Sequence, residues 1–532
     1  MSQINVNNLT FYYEGSFDSI FEQTSFTIDT NWKLGFIGRN GKGKTTFLNL
    51  LLGKYEYLGS IQSSVEFDYF PYPIQKRHLE SPAIEFVGEL KTGCEDWRIF
   101  CELNQMGVDC EVMYRPFKTL SFGERTKVLL ALLFSGENDF LLIDEPTNHL
   151  DQESRERVKK YLAGKNGFIL VSHDRDFLDG CIDHVLVLNR HSIEVQSGNF
   201  SSWWENKQKK DAFAQKENEK HQKEISKLKA AAKQARQWAD KNEGMKIGFD
   251  PAKEHDRFIG TRAYIGAKTK KMQSRVKQME NRIQEEITEK EGLLQDIETA
   301  VSLKIYPLEY RKKTCLTVSH YGLQYVDRAE PLFEDLSFSV SRGERVFLHG
   351  ANGCGKSSLL KAILSKHSPA EVESCGAQAG RREDFEETKK ARTIPGTNLM
   401  ENGDLMLGSG LVLSYVNQDT SFLQGSIKGF CRERGIDESL FCSILRQLDM
   451  DRVQFSKNME SYSEGQKKKV LIAASLLTPA HLYLWDEPLN YIDLFSRIQL
   501  ENLLQEYQPT MIIVEHDVRF RERLATKVIE LQ

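Results

Sequence analysis

The chain has no long hydrophobic run. Among its 532 residues the longest apolar stretches, such as Val128 to Phe134, are far short of the ~20 residues a membrane-spanning helix needs, so no membrane span is expected. It holds nine cysteines, an odd number with no CxxC pair, which argues against a zinc or iron–sulfur framework and for reduced thiols in a cytosol. The opening MSQINVNNLTFYY has neither a basic start nor an apolar core and predicts no export signal, hence a cytoplasmic protein. Proline is sparse, and Pro251 is the only one between residues 206 and 277. What remains, 40% hydrophobic and 28% charged residues, is enough material for two or more cores in a soluble multidomain chain.

The charge is unevenly placed. The whole chain has a formal net charge of −5, yet residues 206 to 277 hold 20 Lys and Arg against 9 Asp and Glu. The apolar residues of this stretch, Ile225, Leu228, Ala232, Ala235 and Ala239, recur at steps of three and four, and Val276, Met279, Ile283, Ile287, Leu294 and Ile297 further on do much the same, with one step of seven. Such steps place each set along one helical stripe. Gly244, Gly248, Pro251, Gly260 and Gly266 interrupt the pattern between them. The expectation is two helices folded back around a tip near 240–266, an arm of about 50 Å at ~1.5 Å per residue. A solvated spacer is the plainer account. The excess of eleven positive charges on a narrow rod favours a polyanion as partner, and phosphate backbones are the commonest one. Phe249, Phe258 and Tyr264 at the tip suit stacking on bases or packing within the loop.

Ahead of this connector stands LGFIGRNGKGKTTFLNLLLG. Leu34 to Ile37 reads as a buried strand and Thr45 to Leu52 as a helix. Gly38, Asn40, Gly41, Lys42, Gly43, Lys44 and Thr45 between them satisfy GxxxxGK[ST], and Thr46 follows as a further ATP-binding candidate. The glycines let backbone N–H groups close on phosphates, Lys44 reaches the terminal phosphates and Thr45 can hold Mg²⁺, so ATP with Mg²⁺ is the expected ligand. In FLLIDEPTNHLD a second buried strand delivers Asp144 to the metal, and Glu145 one residue later is placed to orient or deprotonate the attacking water. LSFGERTKVLLALLF opens a helix on the turn Ser121 to Gly123, a shape suited to an anion, and GFILVSHDRDFLD ends a strand at His173, a γ-phosphate sensor.

The pattern then returns. GANGCGKSSLL repeats the phosphate loop with Gly350, Asn352, Gly353, Cys354, Gly355, Lys356, Ser357 and Ser358. HLYLWDEPLNYID repeats the acidic strand with Asp486 and Glu487, and MIIVEHD repeats the last one with His516. Tyr13 precedes Lys44 by 31 residues and Tyr325 precedes Lys356 by 31; Ser121 precedes Glu145 by 24 and Ser463 precedes Glu487 by 24. This is a duplication of about 200 residues. The expected domains are 1–200, a linker at 201–305, and 306–532, the last with a charged, glycine-rich surface insertion near 371–409.

Each half resembles an ATP-binding cassette (ABC) domain. Ser121-Phe122-Gly123-Glu124 and Ser463-Glu464-Gly465-Gln466 stand in the place of that family's signature. Two cassettes, no membrane domain, a basic helical linker and DEPTNHLD together resemble the ABC-F translation proteins; NWKLGFIGRNGKGKTT, GFILVSHDR and LYLWDEPLNYID look most like the Lsa-type antibiotic-resistance members. The resemblance implies an α/β fold of two P-loop domains joined by an α-helical hairpin, paired head to tail within one monomer around two ATP molecules. One site would use Lys44, Thr45, Asp144, Glu145 and His173 with the signature at Ser463 and Gly465. The other would use Lys356, Ser357, Asp486, Glu487 and His516 with Ser121 and Gly123. Tyr13 and Tyr325 match the adenine-stacking position, and Gln418 the metal-side Q-loop, where the first cassette has Tyr72. Leu489 and Tyr491 replace the Thr and His of DEPTNH, and Glu515 precedes His516, so the two sites are expected to be inequivalent.

The implied partner is the ribosome, with the linker along large-subunit rRNA and peptidyl-site tRNA, and the implied function is protection from drugs at the peptidyl-transferase centre. A housekeeping translation factor shares every ATP motif. The 77 residues from Lys44 to Ser121 leave little room for the extra arm of many such factors, which favours resistance. The ATPase subunit of a drug exporter leaves the basic arm unexplained, and a DNA-repair ATPase would need a far longer arm or a zinc motif.

Overall fold

The computed structural model describes residues 2–13, 19–39, 41–137, 139–147, 150–189, 192–244, 274, 277–279, 281–283, 303–327, 330–351, 353–367, 392–394 and 397–531. Asn40, Asn352, the linker tip and 371–391 lie outside them. The chain forms two compact units, Met1–Ser201 with Ala300–Gln532, and Ser202–Thr299.

The first half of the larger unit contains β1 (Gln3–Phe11), β2 (Phe21–Asp29), β3 (Lys33–Ile37), β4 (Leu58–Gln62), β5 (Glu66–Phe70), β6 (Asp139–Asp144), β7 (Phe168–Val171), β8 (His184–Leu188) and β9 (Ile193–Ser197). Six of these make one sheet in the order β5-β6-β7-β3-β8-β9, parallel except for β9. Its central strands read as continuous apolar runs, FLLI and FILV, because helices cover both faces and leave no wet side. Strands β2, β1 and β4 form a separate antiparallel sheet. The helix Lys44–Leu51 carries the core between the two: Phe47 is fully buried against Phe21, Phe26 and Phe36.

The second half repeats this plan with β10 (Thr314–Tyr325), β11 (Pro331–Ser341), β12 (Arg345–His349), β13 (Arg392–Thr393), β14 (Leu399–Leu407), β15 (Leu413–Val416), β16 (Leu482–Asp486), β17 (Met511–Val514) and β18 (Lys527–Glu530). The parallel sheet runs β15-β16-β17-β12-β18 and the antiparallel one β11-β10-β14-β13. In both halves the phosphate loop, the acidic pair and the histidine follow the carboxyl ends of adjacent parallel strands, where open α/β sheets bind ligands.

Two expectations change here. The stretch near 371–409 is not a surface insertion throughout: Leu399–Leu407 pairs along the length of β10, and Arg392–Thr393 extends that sheet. Leu303 and Ile305, placed in the linker by the sequence, are buried in the core of the second cassette.

The linker helix spans Phe200–Gly244, 45 residues, about 65–70 Å at ~1.5 Å per residue and so longer than expected. Within the smaller unit Ile225 packs with Ile283, beside Leu228, as the stripe predicts, whereas Met279 is half exposed. Ala232, Ala235, Ala239, Val276, Ile287, Leu294 and Ile297 lie outside the described side chains. Among the described residues no helix is long and apolar enough to cross a membrane.

Candidate functional site

Each phosphate loop is shaped by glycines and closed by its own lysine. Gly43 has φ +108°, and a Cβ there would sit 2.5 Å from Ile20, just ahead of β2, so a side chain at this position fits neither the backbone nor the space beside it. Lys44 is buried and its Nζ donates to the carbonyls of Gly38 at 2.7 Å and Arg39 at 3.2 Å. Lys356 does the same with Gly350 and Ala351, both at 2.8 Å, and lies 3.9 Å from Cys354 Sγ. Gly41, Lys42, Gly353 and Gly355 complete the two loops. Tyr13 shares a hydrogen bond with Thr46 at 2.8 Å and Tyr325 one with Ser358 at 3.3 Å, which stations both tyrosines beside the loop helices. Tyr13 is 43% exposed, with Phe11 and Tyr55 in edge-to-face contact with its ring.

The acidic pairs follow β6 and β16. Thr45 Oγ1 donates to Asp144 Oδ2 at 3.1 Å, and Ser357 Oγ to Asp486 Oδ1 at 3.0 Å. Burial pushes the Asp486 carboxyl up to about 6, opposed by the Ser357 hydrogen bond, and raises Asp144 as well. The following glutamates are strained: Glu145 has φ +50° and Glu487 φ +47°, held by Glu145 N–H on Val171 O and Glu487 N–H on Val514 O, both at 2.9 Å. Burial, with the charge of Asp144 added, pushes the Glu145 carboxyl up to about 8. His173 Nε2 stands 3.3 Å from Glu145 Oε1, and His516 Nε2 3.9 Å from Glu487 Oε1. Burial and then Lys356 hold His516 down to about 3, and burial and Lys44 depress His173, so both imidazoles are neutral. In the first cassette a carboxyl of raised pKa thus stands beside a neutral imidazole, two groups able to exchange a proton with a water between them and the nucleotide.

A divalent metal fits these residues. Asp486 Oδ2 is buried without a hydrogen-bond partner, next to the Ser357 hydroxyl. Among the described residues no cluster of three or more His, Cys, Asp or Glu could hold an ion alone, so Mg²⁺ here would take its remaining ligands from ATP phosphates and water.

The Q-loop positions differ. Strand register sets Phe70 opposite Ile143 and Val416 opposite Trp485, so Tyr72 and Gln418 are equivalent. Gln418, expected at the metal, instead donates from Nε2 to Glu487 Oε2 at 2.9 Å, beside Asn490 Nδ2 at 2.6 Å. Tyr72 turns away to Asp68 Oδ2 at 2.6 Å. In the second cassette Lys468 Nζ donates to Asn417 O at 2.9 Å and Thr420 to Glu464 at 2.6 Å, tying the Q-loop to the signature helix. The first cassette has a cavity of about 540 Å³ in that gap, lined by Tyr69, Pro71, Tyr72, Ile74, Phe122 and Thr126 among others.

Both signature serines cap helices. Ser121 Oγ accepts from Glu124 N–H at 3.2 Å and Ser463 Oγ from Gln466 N–H at 3.3 Å, which leaves each hydroxyl proton available to an anion. Gly465 is enforced by Tyr491 O, 2.5 Å from where a Cβ would stand. Among the described residues no hydrogen bond or ion pair joins Ser121, Gly123, Ser463 or Gly465 to the opposite phosphate loop.

The cassettes nevertheless meet across their sites. Asp493 of the second is close enough to act on the charges of Lys44 and His173 of the first, and Asp151 of the first on His516 of the second. Arg39 bonds Asp449 at 3.1 Å, His349 bonds Gln152 at 2.7 Å, and Arg175 pairs with the fully buried Glu501. Two replacements read as isolated departures in the sequence are coupled in space. Thr147 and Ser172 share a hydroxyl contact at 3.4 Å, whereas Leu489 N–H at 3.2 Å and His516 N–H at 3.0 Å bond the Glu515 carboxylate.

Paired P-loop cassettes with these loops, acids and signature turns define a class. The "ABC transporter" family model matches residues 21–148 and 333–490, over half of the chain, which therefore belongs to that family. More narrowly it is an ABC-F ATPase: it is 27% identical to the ribosome protection protein VmlR of Bacillus subtilis (strain 168), over 96% of this chain and 84% of that protein. It is 26% identical to the energy-dependent translational throttle protein EttA of Escherichia coli (strain K12), over 96% and 89%. The solved structure of the RNase-L inhibitor shares the fold, with a TM-score of 0.57, 15% identity, and coverage of 98% and 87%.

Proposed function

We propose that this ATPase protects the ribosome from antibiotics at the peptidyl-transferase centre, of the lincosamide, pleuromutilin and streptogramin A type. The observation that carries this is the likeness to VmlR along 96% of the chain, which includes the basic connector. As a cytoplasmic monomer the protein would bind two ATP with Mg²⁺ between its cassettes, enter the ribosomal exit site, and lay the linker along peptidyl-site tRNA and rRNA so that drug leaves. In this reading Lys44, Thr45, Asp144, Glu145 and His173 act with Ser463 and Gly465, and Lys356, Ser357, Asp486, Glu487 and His516 with Ser121 and Gly123. The loop residues Gly38, Asn40, Gly350 and Asn352 cradle phosphates, Tyr13 and Tyr325 stack on adenine, and hydrolysis releases the protein. The bound metal would polarise the phosphates; Glu145 and Glu487 would take the proton of the attacking water.

The similarity to EttA supports a second reading, a housekeeping translation factor. Purified protein with ATP, added to bacterial cell-free translation stalled by each drug, separates the two. Restored synthesis, absent with a decoding-site drug, is expected. No restoration despite ATP-dependent ribosome binding would favour the housekeeping role.

A further inference from the structure

Two hydroxyls converge on one oxygen of Asp144. Thr45 Oγ1 and Tyr69 OH both donate to Oδ2, each at 3.1 Å. The ring of Tyr69 is steadied by Lys54, whose Nζ lies 5.3 Å from its centroid.

The second cassette makes only the first of these contacts. Tyr415 occupies the same register as Tyr69: it pairs with Leu484, two residues before Asp486, as Tyr69 pairs with Leu142, two before Asp144. Its hydroxyl goes to Asn417 Oδ1 at 3.3 Å instead, and Asp486 Oδ2 accepts nothing. Lys366, the counterpart of Lys54, is drawn off to Glu401. The second site steadies its acidic pair through Gln418 on Glu487, a contact the first site forgoes because Tyr72 points to Asp68.

We propose that Tyr69 is a positioning residue of the first nucleotide site alone, its hydroxyl fixing the carboxylate of Asp144 so that Oδ1 is presented to the metal of the bound nucleotide. This rests on the reading of Asp144 as a Mg²⁺ ligand. An outer-shell donor that orients a ligating carboxylate typically changes metal affinity by about 10- to 100-fold when removed. A donor unique to one cassette therefore makes the two metal sites unequal.

The test is Mn²⁺ titration by electron paramagnetic resonance on the full chain with a non-hydrolysable ATP analogue. Tyr69→Phe, Tyr415→Phe, Asp144→Asn and Asp486→Asn are compared, with metal-free nucleotide affinity measured alongside. The expected result is that Tyr69→Phe weakens one of two Mn²⁺ sites about tenfold, the site Asp144→Asn removes, without changing metal-free nucleotide binding. Tyr415→Phe should leave both sites unchanged. Equal effects of the two Tyr→Phe changes, or less than a twofold effect of Tyr69→Phe while Asp144→Asn abolishes a site, would overturn the proposal. Two intact Mn²⁺ sites in Asp144→Asn would overturn the underlying metal assignment instead.

Discussion

Arg175 and Glu501 make the contact between cassettes whose removal has the most calculable effect. Glu501 is fully buried and meets Arg175 from the first cassette and Arg523 from its own, the latter 2.5 Å from Oε1. Arg175→Ala leaves Glu501 with Arg523, so the loss is that of one charge-assisted hydrogen bond, about 1.5–3 kcal/mol. The larger penalty of an unpaired buried carboxylate does not arise. At about 1.4 kcal/mol per factor of ten, the closed pairing weakens by about 10- to 150-fold. The assay is the fraction of a non-hydrolysable ATP analogue that stays trapped through gel filtration, for Arg175→Ala, Glu501→Ala and the double variant. Because both side chains serve one contact, the double variant should be no worse than Glu501→Ala, and the cycle should show a coupling of about 1 kcal/mol or more. Single effects that add to within about 0.5 kcal/mol would refute the contact as a determinant of closure.

Glu145→Gln with Glu487→Gln should bind ATP and stop hydrolysing it; a wild-type rate in the double variant would remove both glutamates from catalysis. Cys354 lies in the second phosphate loop and is partly exposed, so bound ATP should shield it from maleimide. With ATP at 100 times its Kd, labelling of the Cys354 peptide, followed by mass spectrometry, should slow about 100-fold, and labelling indifferent to ATP would count against the loop. Burial pushes the Glu515 carboxyl up to about 7, above its ordinary 4.5. The stability it contributes is complete below pH ~4.5 and is lost as pH rises through about 7, on the order of 2–3 kcal/mol. Denaturant melts at pH 5 and 7.5 should show that fall, and Glu515→Gln should flatten it; an unchanged slope would refute the shift.

The glycine loops, acidic pairs and strand-end histidines were legible in position because each is a local device, with glycine spacing or an apolar strand adjacent in sequence. The same spacings appearing twice revealed the duplication. Strand β14 was hidden for a physical reason. Its buried face carries Glu401, neutralised by Lys366 and bonded by Tyr321 at 2.8 Å, and its Gly403 sits at φ +78° beside an irregular register with β10. A charge and a glycine in place of alternating apolar residues read as a surface loop. Tyr69 escaped notice because nothing in its own segment distinguishes it from Tyr415; only the partners reached by the two hydroxyls do. The link between Leu489 and Glu515 joins segments 26 residues apart and needed the sheet to bring them together.

Glu145 and Glu487 occupy backbone conformations that glycine adopts freely and that cost any other residue about 1–3 kcal/mol. With both glutamates as the proposed acceptors of the water proton, heat resistance and turnover pull in opposite directions at these two codons. A library sorted only for folded yield would drift toward glycine at both, gaining melting temperature as it discarded the carboxylates. Any effort to harden this protein needs a phosphate-release readout in the same selection, and glycine appearing at either position would mark the point at which thermal selection had begun to remove activity.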